Sequence, residues 1–441
     1  MQEINIKELF ATDVRSFSIY DCQRSIPSGV DGFKPSMRKI LFGMRKKFAS
    51  EEVKVSIAAA AVQSVSCFHH GSLEGTMVKM AQSFIGSNNV PFLQDIGQFG
   101  SRISPDAAAT RYIFTKLTEA YDKIFNKEDD HILEYLEDDG QSIEPKYYLP
   151  IIPTVLINGS DGMGTGFACR ILNYNPRDLI DATKKLLNNK PHAPLIPWYR
   201  GYTGDITKNG AQVVFTGKFT RLSTSQIKVT ELPIGQYTSR YRDILNDLED
   251  KGIVKTYDDN SSESVTEFIV TCPREVLRQT DEELLKVFKL VGRETENFTV
   301  WVECDKLCKF DSADDLLKWF VTFRLTKYEE RRLNIIHRLQ QELSLLSNRS
   351  LFIRQYLQDT KKFSGMTKDE LVNWIIAENL GDPEPLLSIR VYNMTLDQIA
   401  ALDEKISNTM QQLSNIQSST ATKLYLDDLD VLKQFFAKKF T

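Results

Sequence analysis

Residues 97–117 read GQFGSRISPDAAATRYIFTKL, and this stretch carries more information than any other in the chain. Gly97 and Gly100 allow a tight turn, the small residues of SPDAAAT permit close approach to another surface, and Arg111 and Tyr112 then arrive together. Taken alone, the Arg-Tyr pair reads as an ordinary packed aromatic. A chemical role for it has to be argued from the rest of the chain.

Upstream, the segment from Arg24 to Lys47 carries Arg24, Lys34, Arg38, Lys39, Arg45, Lys46 and Lys47 against the single acid Asp31. The net charge of the whole chain is -4, so excess positive charge is not what would draw it to nucleic acid. A basic stripe on an acidic body is nevertheless an electrostatic footprint for a phosphate backbone. A solvated helix face is the plainer alternative. Pro35 suits the first turn of a helix running to about Phe48, on which Lys34, Arg38 and Arg45 share a face.

The chain has 441 residues, 41% of them hydrophobic and 10% aromatic, enough for about two to four domains. No run of apolar residues is long enough to span a membrane, and the N-terminus MQEINIKELF has acids where a signal peptide needs a basic start. The six cysteines, Cys22, Cys67, Cys169, Cys272, Cys304 and Cys308, lack paired zinc-site spacings and read as free thiols of a cytoplasmic protein.

Along the chain, residues 6–125 read as a mainly helical domain, with a second helix over 54–67 whose AAAAV centre permits close packing. From Tyr147, β-branched runs such as AQVVFTG and ESVTEFIVTCP mark an α+β region, with an amphipathic helix from Tyr241 to Lys251 stopped by Gly252. From Ala313 to Leu357 there is neither proline nor glycine. Ile336, Leu339, Leu343, Leu346, Ile353 and Leu357 form a seam there, interrupted by Ser350. A second seam runs from Ile399 to Ile416. Two long helices around an insert at 361–394, with a capping box of Thr367 and Glu370, predict an antiparallel coiled coil with a helical globule; a plain bundle is the alternative.

The strings RSIPSGVDGFKPSMRKILF, FHHG, MAQSFIGSNN, GQFGSR, AAATRYIF and YYLPIIPTVLINGSDGMGTGF occur in that order. Together they resemble the breakage-reunion part of type IIA DNA topoisomerases across nearly the whole chain. With no ATPase module and no C-terminal wrapping domain in view, the chain is most similar to the separate medium subunit of T-even-type bacteriophage topoisomerases. The resemblance implies a multidomain α+β fold: a winged-helix DNA-cleavage domain over 1–144, a tower domain over 145–308, and a coiled coil with a small dimerisation globule over 309–441.

It also implies roles. Tyr112 would attack a DNA phosphodiester to leave a 5'-phosphotyrosyl bond and a 3'-hydroxyl. A phenol is protonated near neutral pH, so it needs help, and Arg111 beside it would stabilise phenolate and phosphorane. Arg24 would reach the active centre, while Lys34, Arg38 and Lys39 would contact the DNA backbone. His70 would lie beside the scissile phosphate with His69 behind it, although Ser72 stands where the family usually has an acid. As an adjacent pair, His69 and His70 could also be metal ligands. Met163, in a glycine-rich loop of Gly159, Gly162, Gly164 and Gly166, would wedge between base pairs. Read without the resemblance, that loop could cradle a nucleotide phosphate or simply serve packing.

The chain lacks an acidic triplet for Mg2+, so no metal ligands are assigned to it. The Mg2+ and the ATP hydrolysis are expected on a large partner subunit. Two tyrosines are needed to cut both strands of double-stranded DNA, hence a homodimer, in the cytoplasm of a host if the source is a phage. A non-catalytic DNA-binding scaffold is the rival from another class, and the intact set Arg24, His70, Arg111 and Tyr112 argues against it.

Overall fold

The computed structural model describes residues 6–49, 51–66, 73–303 and 306–439. They form two compact units: Met1–Arg324 with Asp428–Thr441, and Leu325–Asp427.

After the short helical segments Ile6–Leu9 and Phe10–Val14, the first unit runs through helices Arg15–Ser25, Pro35–Lys47, Val55–Val65 and Leu73–Ala81. Pro35 begins its helix, as its fixed φ and missing N–H favour. The close approach foreseen for the alanine-rich helix is real, and Gly43 supplies the other side. A Cβ at Gly43 would meet Val62 Cγ2 at 2.6 Å, while Ala58 and Ala59 are buried. The helical character then stops earlier than the sequence suggests. Residues 82–113 contain no regular element and are held instead by side chains reaching backbone carbonyls.

Beyond this lie antiparallel sheets. The four-stranded sheet has the order Thr256–Asp259, Phe268–Thr271, Gln226–Glu231, Lys218–Arg221. On its central strand Ile227 and Val229 alternate inward, meeting Phe268, Val270 and the helix Thr238–Asp250 through Tyr241 and Leu245. A three-stranded sheet orders Val291–Thr295, Gln212–Thr216 and Asp205–Asn209.

The helix Ala313–Gln358 is unbroken, as its lack of proline and glycine predicts. Within the second unit, Ser350 Oγ donates to Asp403 Oδ1 (3.0 Å) and Tyr328 stacks on Tyr425 with centroids 4.3 Å apart. Earlier residues of one helix thus meet later residues of the other, an antiparallel course with Leu396–Ser418 and Ala421–Lys439. Ser350 breaks the apolar seam because it answers a carboxylate. Phe352, Ile353, Ile375, Leu380, Leu386, Ile399 and Leu402 form the core around the insert. Each such side chain contributes roughly 1.5–3 kcal/mol on burial. Thr367 and Glu370 make the reciprocal cap predicted for Lys368–Ala377.

Candidate functional site

Tyr112 sits at the end of a turn, its N–H donating to Ala109 O (2.9 Å), and its side chain is 67% exposed. Its neighbour Ile113 is buried, and Ile113 O accepts from Val55 N (3.1 Å), while Phe114 pairs with Lys54. Entering a strand with Ile113 turned inward forces Tyr112 outward. The Arg111 guanidinium carbon lies 5.0 Å from the Tyr112 ring centroid. A cation is therefore already beside the phenol.

The preceding GQFGSR string proves to be scaffold. Gly100 has φ +96, and a Cβ there would meet Pro105 O at 2.6 Å. Gln82 Nε2 donates to Phe99 O (2.8 Å) and Pro105 O (2.9 Å), and buried Arg102 donates to Glu231 Oε1 (2.9 Å) and Leu232 O (2.6 Å). The tyrosine turn is thereby tied to the sheet.

His69 and His70 lie outside the described residues, as do Cys67 and Cys304. The segments bordering the histidines are nonetheless anchored. Lys39 Nζ donates to Ser66 O (2.9 Å) on one side, and on the other Glu74 accepts from the Thr110 hydroxyl, immediately before Arg111.

Arg24 is exposed near the end of Arg15–Ser25, its guanidinium over the Tyr20 ring at 5.4 Å. The glycine-rich stretch expected as a loop is instead a hairpin, Ser160–Gly164 with Phe167–Ile171, in which Met163 faces Ala168. Met163 is 81% exposed because strand side chains alternate and its two neighbours face the Arg24 helix. A Cβ at Gly162 would meet Ser25 O at 2.1 Å, and one at Gly164 would meet Cys22 Sγ at 2.9 Å. Lys34 Nζ donates to Asp161 O (2.8 Å) at the hairpin base; burial lowers its pKa, with Asp161 acting the other way. Among the described residues, no hydrogen bond, ion pair or ring contact joins Tyr112 to Arg24.

Three cations of the basic stripe have carboxylate partners. Arg38 is 8% exposed and forks onto Asp31, Nε to Oδ2 at 2.7 Å and Nη2 to Oδ1 at 3.0 Å. Lys39 pairs with Glu144 at 2.7 Å, and Arg45 with Asp130. Carboxylates of the framework thus hold Arg38, which is buried, and Lys39 and Arg45, which are half-buried. Asp130 and Glu144 are the residues that reading the stripe alone misses. Only Asp31 stood within the stripe to be found.

Residues 24–430 match the family model for the A-type subunit of DNA gyrase/topoisomerase IV. The chain belongs to that family. It is 35% identical to the mitochondrial DNA topoisomerase 2 of Dictyostelium discoideum, over 99% of this chain and 36% of that protein. Identity to the DNA topoisomerase 2 of Plasmodium falciparum is 34%, over 95% of this chain and 33% of the relative. The chain thus spans about a third of the length of these curated relatives. The solved DNA-binding, cleavage and re-ligation domain of Plasmodium falciparum topoisomerase II superposes with TM-score 0.90 at 34% identity, covering 97% of this chain and 64% of that one. Among the described residues of this family member, no group of three or more His, Cys, Asp or Glu could hold a metal ion. No described helix is long and apolar enough to cross a membrane.

Proposed function

We propose that this chain is the DNA-cleaving part of an ATP-dependent type II topoisomerase, with Tyr112 as nucleophile. The observation that carries the reading is a tyrosine 67% exposed with Arg111 5.0 Å from its ring, in a chain of this family. The Tyr112 oxygen attacks phosphorus, the bond from phosphorus to the 3'-oxygen breaks, and the phenolic proton is lost. The 3'-oxygen leaves as a hydroxyl, and the 5'-phosphate stays on the tyrosine. The ester keeps the bond's free energy, so the 3'-hydroxyl can reverse the step without fuel. Arg111, Arg24 and His70 stabilise charge at the phosphorus, Lys34 and His69 support the contact with DNA, and Met163 wedges the bend.

The finer organisation follows from the same reading. Residues 1–144 form a winged-helix cleavage domain, 145–308 a tower, and 309–441 a coiled coil with a gate; the antiparallel contacts of Ser350 with Asp403 and Tyr328 with Tyr425 support the last. A homodimer closes through the globule, where Val391, Tyr392 and Leu396 are 73%, 67% and 75% exposed. The Mg2+ and ATP sites belong to a large partner subunit, an arrangement of the T-even phage medium-subunit kind. The setting is the cytoplasm, consistent with the free thiols of Cys22, Cys169, Cys272 and Cys308.

The test is to mix the chain with its large partner, Mg2+, ATP and labelled duplex DNA, then denature. Covalent protein-DNA adducts that vanish in Tyr112→Phe support the reading; adducts that persist in that variant overturn it.

A further inference from the structure

The hairpin that carries Met163 and the helix that carries Arg24 are joined by a carboxylate with no part in the proposed chemistry. Asp21 Oδ2 accepts from both Thr165 N (2.8 Å) and Thr165 Oγ1 (2.8 Å). Thr165 begins the hairpin turn, two residues after Met163, and Asp21 lies one helical turn before Arg24. Cys22 Sγ reaches Thr165 O (3.6 Å), while Gly162 and Gly164 leave no room for a Cβ against the same helix. Contacts at the turn and along the strand thus press one hairpin onto one helix, with Met163 pointing away from both. A carboxylate on a surface meant for phosphate repels it, so Asp21 requires another use. Its position at the turn supplies one.

We propose that Asp21 is a positioning residue that locks the Met163 wedge to the Arg24 helix, so that bending the duplex and presenting Arg24 to the phosphate are one mechanical event. This coupling rests on the proposed roles of Met163 and Arg24 in cleavage. Wedge insertion pushes back on the hairpin, because unstacking a base step resists the intruding side chain. A hairpin free to swing would yield rather than bend the DNA. Asp21 holds the turn by two hydrogen bonds to one residue, which resists swinging as well as separation. Asn at position 21 can still accept from Thr165 N and donate to Thr165 Oγ1. Ala can do neither.

The experiment uses the full chain with its metal-bearing partner and two duplexes labelled at both ends for energy transfer, one fully paired and one with unpaired bases at the bend. Bending and covalent adducts are read on each for wild type, Asp21→Ala, Asp21→Asn and Thr165→Val. For Asp21→Ala on paired DNA, bending and adduct yield should fall together by about tenfold, since deformation of an intact duplex is costly. On the flexible duplex its yield should return to within about threefold of wild type, because little bending work remains. Asp21→Asn should restore most of both readouts, and Thr165→Val should fall between. A variant that merely misfolds would lose yield on both duplexes without rescue, which overturns the proposal. So would Asp21→Ala bending paired DNA as wild type does. Should wild type bend DNA yet form no adduct, the cleavage reading fails while the bending comparison still decides Asp21.

Discussion

Arg38 and Asp31 form a buried two-point ion pair, Nε to Oδ2 at 2.7 Å and Nη2 to Oδ1 at 3.0 Å, with side chains 10% and 0% exposed. Asp31 also accepts from Phe33 N (3.0 Å) and Tyr148 N (2.9 Å), so one carboxylate ties the start of the basic helix to the segment entering the hairpin region. Gly32 follows with φ +68, where a Cβ would meet Val155 N at 2.6 Å. The string VDGFKP is thus a joint in the framework.

Breaking that joint should cost stability first. Asp31→Ala takes the carboxylate away from the buried Arg38 guanidinium, and a buried pair that loses one partner costs about 3–5 kcal/mol. Urea unfolding of the purified chain measures it. A loss below about 0.5 kcal/mol, the range of a plain surface change, would refute the structural role.

This pair also marks what could and could not be read from residues in order. The long helix was legible because Ala313–Gln358 contains no breaker, and the cap at Thr367 because its partner Glu370 is three residues away. The candidacy of Tyr112 was legible through a string of neighbours. The fate of the stripe was not, since the acids that hold Arg45 and Lys39 are Asp130 and Glu144, brought back only by the fold. The hairpin around Met163 was hidden for a related reason: four glycines signal a loop, whereas here Gly162 and Gly164 serve close packing on a helix.

Glycines should separate by surroundings. Gly162→Ala places a methyl group 2.1 Å from Ser25 O and should destabilise by about 1–3 kcal/mol, as overpacking does. Gly75→Ala, in the helix Leu73–Ala81 with nothing within 4 Å, should stabilise by about 0.5–1 kcal/mol. Thermal melts of the two variants in parallel test the pair; the same sign for both would contradict the packing argument.

Met163 should be dispensable for folding but needed for cleavage. At 81% exposure its truncation to Ala should change stability by less than about 0.5 kcal/mol. Adduct yield on an intact duplex should fall several-fold, and Met163→Leu, which keeps an apolar wedge, should retain most of it. Equal yields from Met163→Ala and wild type would remove the wedge.

Thiol chemistry reports on the interior. Burial pushes the Cys169 thiol up to about 12 and the Cys272 thiol up to about 11. At pH 8 both stay as S–H, and the thiolate is the reactive form. Iodoacetamide should leave both unmodified in the native chain and alkylate both in urea. Rapid native labelling at either, read by peptide mass spectrometry, would contradict the packing around it.

The most direct measurement is the site of attachment itself. Trypsin releases the segment YIFTK, Tyr112 to Lys116, from its neighbours. Adducts trapped by denaturing the holoenzyme on DNA, digested with nuclease and trypsin, should carry a 5'-linked nucleotide on Tyr112. A nucleotide found on any other side chain, or an unmodified YIFTK peptide from purified adduct, would contradict the account.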